Sequence, residues 1–279
     1  MKQDIWKYIA ALSLFGSNGV VASFISLDSI EIVFLRTMIG SLLVITVFWL
    51  QKRNFEFFRC GKRPFFLIVS GIAMGIGWVF LYEAYRQVGV GIASLTYYCG
   101  PIIVMTFSPI IFHEKLSTVQ ALCFLIVLSG VLLVNGQAFQ AGKNIWGIFC
   151  GMMSAVMYAV MVIFNRKADA SNRMENSVIQ LTASFLTVTA FMIFYQRLPV
   201  NVTMNDWGPI LLLGIFNTGV GCWLYFSSIG NLPIYTVAVC GYLEPLAAVV
   251  FSVLILRESM LPIQSVKRAW IWQKQILFL

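Results

Sequence analysis

The stretch that decides the fold is "YYCGPIIVMTFSPIIFHEK", residues 97–115. It is as long and apolar as a helix that crosses a bilayer, which takes about 20 such residues, yet Pro101 and Pro109 interrupt it. A second stretch, "GYLEPLAAVVFSVLILRES" at 241–259, has the same outline of tyrosine, proline, Phe-Ser pair and glutamate. The chain therefore carries the same interrupted apolar segment twice.

The composition indicates that lipid is the solvent of this chain. Of its 279 residues, 59% are hydrophobic and 11% are charged, and the mean hydropathy is +0.85. A soluble domain carries roughly a quarter charged residues, so a water-soluble fold of this composition would leave much of its surface apolar. The six cysteines form no C-x-x-C pair, and we interpret them as small hydrophobic side chains rather than disulfides or zinc ligands.

Apolar windows recur along the whole chain and predict nine membrane-spanning helices. We expect these helices at residues 6–25, 30–50, 65–84, 91–112, 118–135, 145–164, 177–196, 207–228 and 234–256. The candidate for a tenth helix, residues 260–279, contains Lys267, Arg268 and Lys274, and each would cost about 2.5–3.5 kcal/mol at the bilayer centre. Either this segment lies in the membrane interface or the natural end of the chain has been altered; the sequence leaves both readings open.

The positions of lysine and arginine predict the orientation of the chain. With the N-terminus in the cytoplasm, eleven of these residues fall in cytoplasmic segments, whereas four, Arg86, Lys143, Arg197 and Arg257, fall in outer segments. Short cytoplasmic loops normally hold the excess of positive charge, so we expect this orientation. The net charge of +8 is spread among the loops rather than gathered into one footprint, which argues against binding of nucleic acid.

The second interrupted stretch belongs to an internal repeat. When the sequence is shifted by 144 residues, Tyr98 falls on Tyr242 and Pro101 falls on Pro245. The same ungapped offset pairs Phe107 with Phe251, Ser108 with Ser252, Ile111 with Ile255, Glu114 with Glu258, Gln120 with Gln264, Gly75 with Gly219 and Gly77 with Gly221. A slightly different offset pairs Ile5-Trp6 with Ile145-Trp146 at the start of each half.

The repeat predicts two units, residues 1–136 and 144–279, with five spans each when the tenth is counted. Because five is odd, the second unit enters the membrane from the opposite side, as in the inverted repeats of many secondary transporters. The expected fold class is an all-α polytopic membrane protein with two inverted five-helix repeats, ten helices in all, of which the tenth is degraded or truncated. A duplicated scaffold without transport activity is the alternative.

The paired prolines point to a cavity between the two units. Proline within a helix removes one backbone hydrogen bond, so Pro101 would free the carbonyl of Tyr97 and Pro245 would free that of Gly241. Free carbonyls at membrane depth are tolerated only against protein or a water-filled cavity. We therefore expect a shared central cavity, against the alternative that proline is simply common in transmembrane helices.

Glu244 is the most informative single residue, because it lies about twelve residues from either end of the ninth predicted span. A charge at that depth marks by default a pathway, a proton relay or a counter-ion. Three roles stay open: binding of a substrate ammonium group, proton coupling, or a structural pair with Arg36. For Arg36 in the second span we favour a structural role, in which it snorkels outward or meets Glu31 or Glu244.

Aromatic and amide side chains near the breaks are the candidate lining of the cavity, since binding pockets combine apolar walls with a few polar groups. The candidates are Asn18, Trp78, Tyr82, Tyr97, Tyr98, Tyr158, Asn217, Trp223, Tyr225 and Tyr242, with Pro101, Glu244 and Pro245. For each aromatic residue, packing or anchoring at the interface is the alternative. The small-residue faces with Gly71, Gly75, Gly77, Gly147 and Gly151 predict close helix packing.

No enzyme signature is present in the sequence. It contains no H-E-x-x-H, no G-x-S-x-G and no Walker loop, so we expect neither catalysis nor a nucleotide-driven pump, and no cofactor or metal. The single histidine, His113, forms an ionic corner with Glu114 and Lys115 at the predicted end of the fourth span. A lone histidine is weak evidence for a metal site.

The sequence resembles the EamA branch of the drug/metabolite transporter superfamily. The resemblance rests on "FLRTMIG" at 34–40, "AYRQVGVGIASLTYYCGPIIVMTFSPIIFHEKLS" at 84–117 and "YLEPLAAVVFSVLILRES" at 242–259. It implies ten helices in two inverted halves, a cavity among the third, fourth, eighth and ninth spans, and export of amino acids or related metabolites. The sequence departs from the family's pattern at three places. His113 and Arg257 replace the glycine that typically precedes the glutamate, and the charged tail replaces a smooth apolar helix.

Taken together, these features predict a secondary transporter that is an integral protein of the inner or plasma membrane, with a cytoplasmic N-terminus. It would move small organic solutes by alternating access, with a small-molecule substrate and membrane lipid as its partners. A non-transporting scaffold or a channel is the alternative. The substrate, the coupling ion, the direction of net flux and the oligomeric state do not follow from the sequence.

Overall fold

The computed structural model describes residues 2–51, 63–112, 145–168 and 173–256, and within these ranges it contains helices and no strand. The helices are α1 (Lys2–Gly16), α2 (Asn18–Ala22), α3 (Ser29–Leu50), α4 (Arg63–Tyr97), α5 (Cys99–Phe112), α6 (Ile145–Lys167), α7 (Arg173–Phe194), α8 (Trp207–Leu211), the π-helix Leu212–Val220, α9 (Gly221–Ile229), α10 (Ile234–Gly241) and α11 (Leu243–Leu256).

Among the described residues, seven helical stretches are long and apolar enough to cross a membrane. They are Ser29–Leu50, Pro64–Val90, Ile92–Phe112, Ile145–Lys167, Met174–Phe194, Trp207–Ile229 and Thr236–Ile255, and they coincide with seven of the nine predicted spans. The first predicted span is apolar too, but Ser17 divides it into the shorter helices α1 and α2. The fifth predicted span, the ionic corner at 113–115 and the tail at 257–279 lie outside the described residues.

The surface of the bundle is apolar and much of its polar content is inside. The side chains of Trp49, Leu50 and Phe194 are 74%, 77% and 80% exposed, whereas Gln180 and Thr218 are fully buried. Soluble proteins rarely expose contiguous apolar surface on this scale, but in a bilayer these side chains meet hydrocarbon. The distribution of side chains is therefore that of helices packed within lipid.

The chain bends at Gly89, between the third and fourth spans. This residue has φ of 81° inside α4, a left-handed conformation that glycine adopts without a steric penalty. A methyl group added at Gly147, near the start of α6, would meet Val88, and one added at Gly151 would meet Thr96. The helical segments on both sides of the bend therefore pack against α6. The sequence predicted a connection of several residues, 85–90, but in the structure only Gly89 departs from helical geometry there.

The fourth and ninth spans are interrupted at corresponding residues. Helix α4 ends at Tyr97 and α5 begins at Cys99, so Tyr98 lies between them; Tyr242 lies in the same way between α10 and α11. We expected each proline to cause the break, but the break comes before the proline. Pro101 lies in the first turn of the following helix, where a backbone N–H has no partner within the helix, so its missing N–H costs no hydrogen bond. Helix α5 then continues through Pro109.

The 144-residue offset pairs glycines of the two halves, and each of these glycines contacts a helix of the other half. A methyl group added at Gly75 would lie 2.9 Å from the carbonyl oxygen of Ser184 in α7, and one added at Gly219 would lie 2.5 Å from the side chain of Leu43 in α3. The third span therefore packs closely on the seventh, and the eighth packs on the second. This confirms the expectation of close helix packing at these small residues.

The next pair of glycines behaves in the same way. A methyl group at Gly77 would lie 3.1 Å from Met157 in α6, and one at Gly221 would lie 2.7 Å from Phe15 in α1. Contacts of the first half thus recur in the second half with the partners exchanged. This is the arrangement that a two-fold relation between the halves produces, although the ten-helix repeat itself stays a prediction.

Polar contacts join the ends of several spans at one face of the bundle. Asp28 accepts hydrogen bonds from Arg86 and from Arg197, each at 2.5 Å. Asp206 accepts three more, from the hydroxyl of Thr203 and from the backbone and hydroxyl of Ser26, at 2.7–2.9 Å. These bonds, that of Thr203 first, hold the pKa of Asp206 below its ordinary value. Arg86 and Arg197, both predicted to lie outside, share this face.

Candidate functional site

A cavity lies where the first, third, fourth, sixth, eighth and ninth spans meet. Its volume is about 30 Å³, which is enough for a water-sized group and well below the roughly 300–1,000 Å³ of sites that enclose a small organic ligand. Its wall combines aromatic and aliphatic side chains with a few polar ones. In this conformation the cavity is therefore too small to enclose a small organic ligand.

Six of the predicted cavity residues line this cavity. They are Asn18, Trp78, Tyr97, Tyr158, Tyr225 and Glu244. They come from six spans that are distant in sequence, one residue from each, and the fold brings them together around one cavity. Their assignment to substrate binding stays a prediction.

The other predicted residues occupy the surrounding structure. Tyr82 is buried and accepts a hydrogen bond from Arg36, and Trp223 packs half-buried against the core. Tyr98 and Tyr242 form the two interruptions, and Pro101 is buried in the first turn after the first of them. The backbone of Pro245 lies in the first turn after the second.

Asn217 is structural rather than exposed to the cavity. Its amide nitrogen lies within hydrogen-bond distance of three acceptors that share its two hydrogens: the carbonyl oxygen of Leu14 at 2.8 Å, the hydroxyl of Ser17 at 2.8 Å and the side-chain oxygen of Asn18 at 3.0 Å. These acceptors surround the junction of α1 and α2. The amide therefore bonds polar groups at the break in the first span, and it orients Asn18 on the cavity wall.

Several cavity residues were not predicted, because each looks like ordinary apolar packing in the sequence. Cys222, interpreted as a buried thiol, lines the cavity, and Ser154 lines it while donating a 2.8 Å hydrogen bond to the carbonyl of Gly77. A signal was available in the repeat, since the 144-residue offset pairs Cys222 with Trp78. The remaining unpredicted residues are Phe15, Ala73, Met74, Gly77, Leu81, Met161 and Phe226.

Arg36 is fully buried in α3 and does not snorkel to the interface. Its Nε donates a 2.8 Å hydrogen bond to the hydroxyl of Thr218, and its Nη1 donates a hydrogen bond to the hydroxyl of Tyr82. The guanidinium carbon lies 4.4 Å from the centre of the Trp78 ring, a cation–π contact. The third nitrogen, Nη2, is buried without a hydrogen-bond partner among the described residues.

Glu244 lies in the middle of the span Thr236–Ile255, is 8% exposed and lines the cavity. Arg36 is close enough to attract its carboxylate electrostatically. No direct ion pair joins the two residues: within the described part of the chain, no carboxylate oxygen lies within 4.0 Å of the guanidinium nitrogens. Glu31, the other expected partner, instead accepts the 3.0 Å hydrogen bond from the backbone of Asp28 that caps α3.

Tyrosine rings surround the carboxylate side of the cavity. The ring centres of Tyr97 and Tyr158 are 5.4 Å apart, and those of Tyr8 and Tyr225 are 5.3 Å apart. Tyr8 donates a 3.0 Å hydrogen bond to the carbonyl of Val237. The hydroxyl of Tyr225 is buried close to those of Tyr8 and Tyr158, so the tyrosine hydroxyl groups on this side of the cavity lie together.

Metal binding has no support in the described ranges, where no group of three or more His, Cys, Asp or Glu side chains comes together. The cavity is lined by one carboxylate, by amide and hydroxyl groups and by apolar or aromatic walls, and the guanidinium of Arg36 packs against the lining residue Trp78. This chemistry suits recognition of a small polar organic molecule by charge and hydrogen bonding.

Apolar spans packed around a buried, charged cavity define a polytopic integral membrane protein. The model of the EamA-like transporter family matches residues 1–136 and again residues 145–266. The chain therefore belongs to the EamA-like transporter family, and it is a membrane transporter. The resemblance seen in the sequence is confirmed.

Individual proteins agree with this assignment. An uncharacterised transporter of Bacillus subtilis, YxxF, is 22% identical over 250 residues, which cover 88% of this chain and 79% of that protein. The pseudopaline exporter CntI of Pseudomonas aeruginosa is 24% identical over 190 residues, 68% of this chain and 65% of its own. A crystal structure of another protein superposes with a TM-score of 0.77 at 16% identity, covering 99% of this chain and 96% of that one, which shows the fold alone.

Proposed function

We propose that this chain is a secondary transporter that exports amino acids or related small metabolites by alternating access. The observation that carries the proposal is the position of Glu244, a carboxylate in the middle of its span that lines a cavity. A charge held at that depth is expensive and marks a substrate or ion pathway. One relative is named as an exporter of a metabolite, pseudopaline, which supports the direction of transport.

The inverted repeat supplies the proposed mechanism. Exchanged glycine contacts support a two-fold relation between the halves, and transporters of this plan bind substrate where the halves meet. The interruptions at Tyr98 and Tyr242 border the cavity helices, and they give the two halves matching points at which to bend. Rocking about these points would open the cavity, now about 30 Å³, to one face at a time.

The charged and the aromatic residues of the cavity would bind different parts of the solute. Glu244 would bind a substrate ammonium group or exchange a proton during the cycle, and the aromatic wall of Trp78, Tyr97 and Tyr158 would hold the apolar part of the solute. The excess of lysine and arginine in one set of loops supports a cytoplasmic N-terminus. In that orientation, the face that holds Asp28 is the outer face of the inner or plasma membrane.

The proposal is tested with the full chain in proteoliposomes. Vesicles are preloaded with one of a panel of amino acids and amines, and uptake of the labelled solute is measured with and without a proton gradient. A carrier shows saturable uptake that the internal solute stimulates. Uptake that does not saturate and gains nothing from internal solute would indicate a channel, and the absence of uptake for the whole panel would indicate a scaffold.

Replacing Glu244 by glutamine separates its functional roles from a structural one. We expect Glu244→Gln to reduce uptake at least about tenfold, because a charged hydrogen bond to the solute or a proton site is lost. The matched control is Glu83→Gln, since within the described ranges Glu83 bonds Ser29 and Gln87 near the end of its span. If Glu244→Gln transports like the unmodified protein at every pH, both substrate binding and proton coupling by Glu244 are excluded.

A further inference from the structure

A short connection at one face of the bundle is bonded to both the third and the eighth spans. It comprises residues 23–28, between α2 and α3. Asp206, at the start of the eighth span, accepts hydrogen bonds from the backbone N–H of Ser26 at 2.9 Å and from the Ser26 hydroxyl at 2.7 Å. At the other end of the connection, Asp28 accepts a hydrogen bond from Arg86, near the end of the third span. The connection therefore joins two spans that line the cavity.

Arg197 adds a second ion pair to Asp28. Arg197 follows the end of the seventh span, and its guanidinium bonds the second carboxylate oxygen, Oδ2. The carboxylate of Asp28 is thus shared between guanidinium groups from the two halves of the chain. We call the five bonded residues at this face the Asp28 cluster: Ser26, Asp28, Arg86, Arg197 and Asp206.

A second set of bonds joins the same two spans deeper in the bundle. Arg36 lies in α3 about 12 Å further along the helix than Asp28. It donates one hydrogen bond to Thr218 in the eighth span and another to Tyr82 in the third. The second span and the connection before it therefore join the third span to the eighth at two depths. Water and ions reach only the Asp28 cluster, because Arg36 is fully buried.

The third and eighth spans belong to different groups of packed helices. The third packs on the sixth and seventh at Gly77 and Gly75, whereas the eighth packs on the first and second at Gly221 and Gly219. Both spans contribute side chains to the cavity wall. If these groups move apart at the face of Asp28, the cavity opens there, and a connection that is bonded to both groups resists that movement.

We propose that the Asp28 cluster is a latch that holds the cavity closed toward its own face, and that its two ion pairs break whenever the cavity opens there. The side chains of Arg86 and Arg197 are 56% and 50% exposed, and ion pairs this exposed are weak. Weak contacts can break and reform in every transport cycle. This inference rests on the proposed alternating access, and it identifies the residues that control one of the two openings.

The structural alternative is that Asp28 serves only as the N-cap of α3. Asp28 and Glu31 form the capping box of this helix. Asparagine caps a helix as well as aspartate does, so Asp28→Asn keeps the cap and removes both ion pairs. This variant therefore separates the latch from the cap.

The readout is the reaction of Cys222 with a membrane-impermeant thiol reagent, in a chain that keeps Cys222 as its only cysteine. Cys222 lines the cavity and is 1% exposed, so its reaction rate reports opening of the cavity. The reagent is added either to intact cells or to inside-out membrane vesicles. A marker chain, with Met204→Cys as its only thiol, shows which preparation exposes the face of Asp28, because Met204 is 90% exposed beside Asp206.

We expect Asp28→Asn to raise the rate from the face of Asp28 roughly twofold to tenfold, the range for loss of one or two exposed ion pairs. The rate from the other face should fall, because the two open states share one population. Arg197→Gln breaks one of the pairs and should act in the same direction with a smaller effect.

Two control variants should not raise the rate from the face of Asp28. Glu31→Gln removes one negative charge from the first turn of α3 and leaves both ion pairs in place. Arg166→Gln removes an arginine at the opposite end of the spans, where Arg166 donates a 2.7 Å hydrogen bond to the carbonyl of Leu232.

A salt series tests the latch without a variant. Salt screens exposed charges, and the screening length falls from about 10 Å at 0.1 M to about 3 Å at 1 M. Raising sodium chloride over this range, against sorbitol of equal osmolarity, should raise the rate of Cys222 from the face of Asp28. Salt should have no such effect on the Asp28→Asn chain, and the Met204→Cys chain corrects for any effect on the reagent.

The outcomes separate the latch from the proposed function. If Cys222 reacts from either face but neither Asp28→Asn nor salt changes the rates, the latch is excluded and alternating access stands. If Asp28→Asn raises both rates equally, or Glu31→Gln has the same effect as Asp28→Asn, the cluster only stabilises the fold and the latch is again excluded. If Cys222 reacts from a single face in every chain, alternating access fails and the latch fails with it.

Discussion

At the scale of the residue, burial of charge determines where chemistry can occur. A charged side chain within a span is costly enough that Glu244 could be nominated from its position alone. The partners of Arg36 could not, because Thr218 and Tyr82 are 182 and 46 residues away in sequence. Sequence offers no rule for which of many hydroxyl groups a buried guanidinium will meet, so that part of the site required the fold.

We expect Thr218→Val to destabilise the protein by about 1–3 kcal/mol. The hydroxyl of Thr218 accepts the bond from Arg36 and donates a 2.7 Å bond to the carbonyl of Leu213 in the π-helix. Valine keeps the shape and removes both bonds. Thermal unfolding in detergent measures the effect. Thr189→Val is the control, since among the described residues Thr189 bonds the carbonyl of Phe185 in its own helix. Equal losses in both variants would contradict the role of Thr218.

Asp206 predicts a pH dependence of stability. The bonds from Thr203 and Ser26 lower the pKa of Asp206 from its ordinary value of 3.8. A lowered pKa means that the folded protein holds the ionised form more strongly, so its contribution is complete above pH 3.8 and is lost as the pH falls further. We therefore expect Asp206→Asn to lower Tm at pH 7 and to differ less from the unmodified protein toward pH 3. A difference in Tm that does not change with pH would exclude this linkage.

At the scale of the element, glycine and proline set how the helices meet. The glycine faces were predictable, because small residues four apart are the usual means by which membrane helices approach closely. The interruptions were predictable only approximately: proline indicated a break near Pro101, but the structure places it at Tyr98. A proline is well tolerated in a first turn, so the chain ends one helix earlier and begins the next before the proline. The break at Ser17 has no such signal.

We expect Gly71→Ala to destabilise the contact between α4 and α7 by about 1–3 kcal/mol, the usual range for overpacking. The added methyl group would lie 2.5 Å from the backbone carbonyl oxygen of Gln180, and a backbone atom cannot move aside as a side chain can. Gly230→Ala is the matched control, because no atom of the described part of the chain lies within 4 Å of its added methyl group. A fall in Tm for Gly71→Ala alone is the expected result; an unchanged Tm would show that the two helices separate easily.

At the scale of the whole molecule, the sequence predicted a membrane protein with related halves, and the seven described spans agree with that prediction. The exchanged contacts of Gly75 with Gly219 and of Gly77 with Gly221 support the inverted repeat. Six of the thirteen predicted cavity residues line the cavity, whereas Cys222 was missed. A cysteine in an apolar run is interpreted from sequence as a packed hydrophobic side chain. Only the three-dimensional arrangement shows which of several buried thiols borders a cavity.

The central claim is that the cavity opens to each face of the membrane in turn. Cys222 lines the cavity, so the reactivity of its thiol measures this directly. The test uses a chain that keeps Cys222 and has its other five cysteines replaced by alanine. This chain is placed in sealed vesicles, and a membrane-impermeant thiol reagent is added either outside or inside the vesicles. The control chain keeps only Cys150, which is fully buried away from the cavity. Alternating access predicts that Cys222 reacts from either face, that solute changes the two rates in opposite directions, and that Cys150 stays unreactive. Reaction of Cys222 from a single face under every condition would contradict the account.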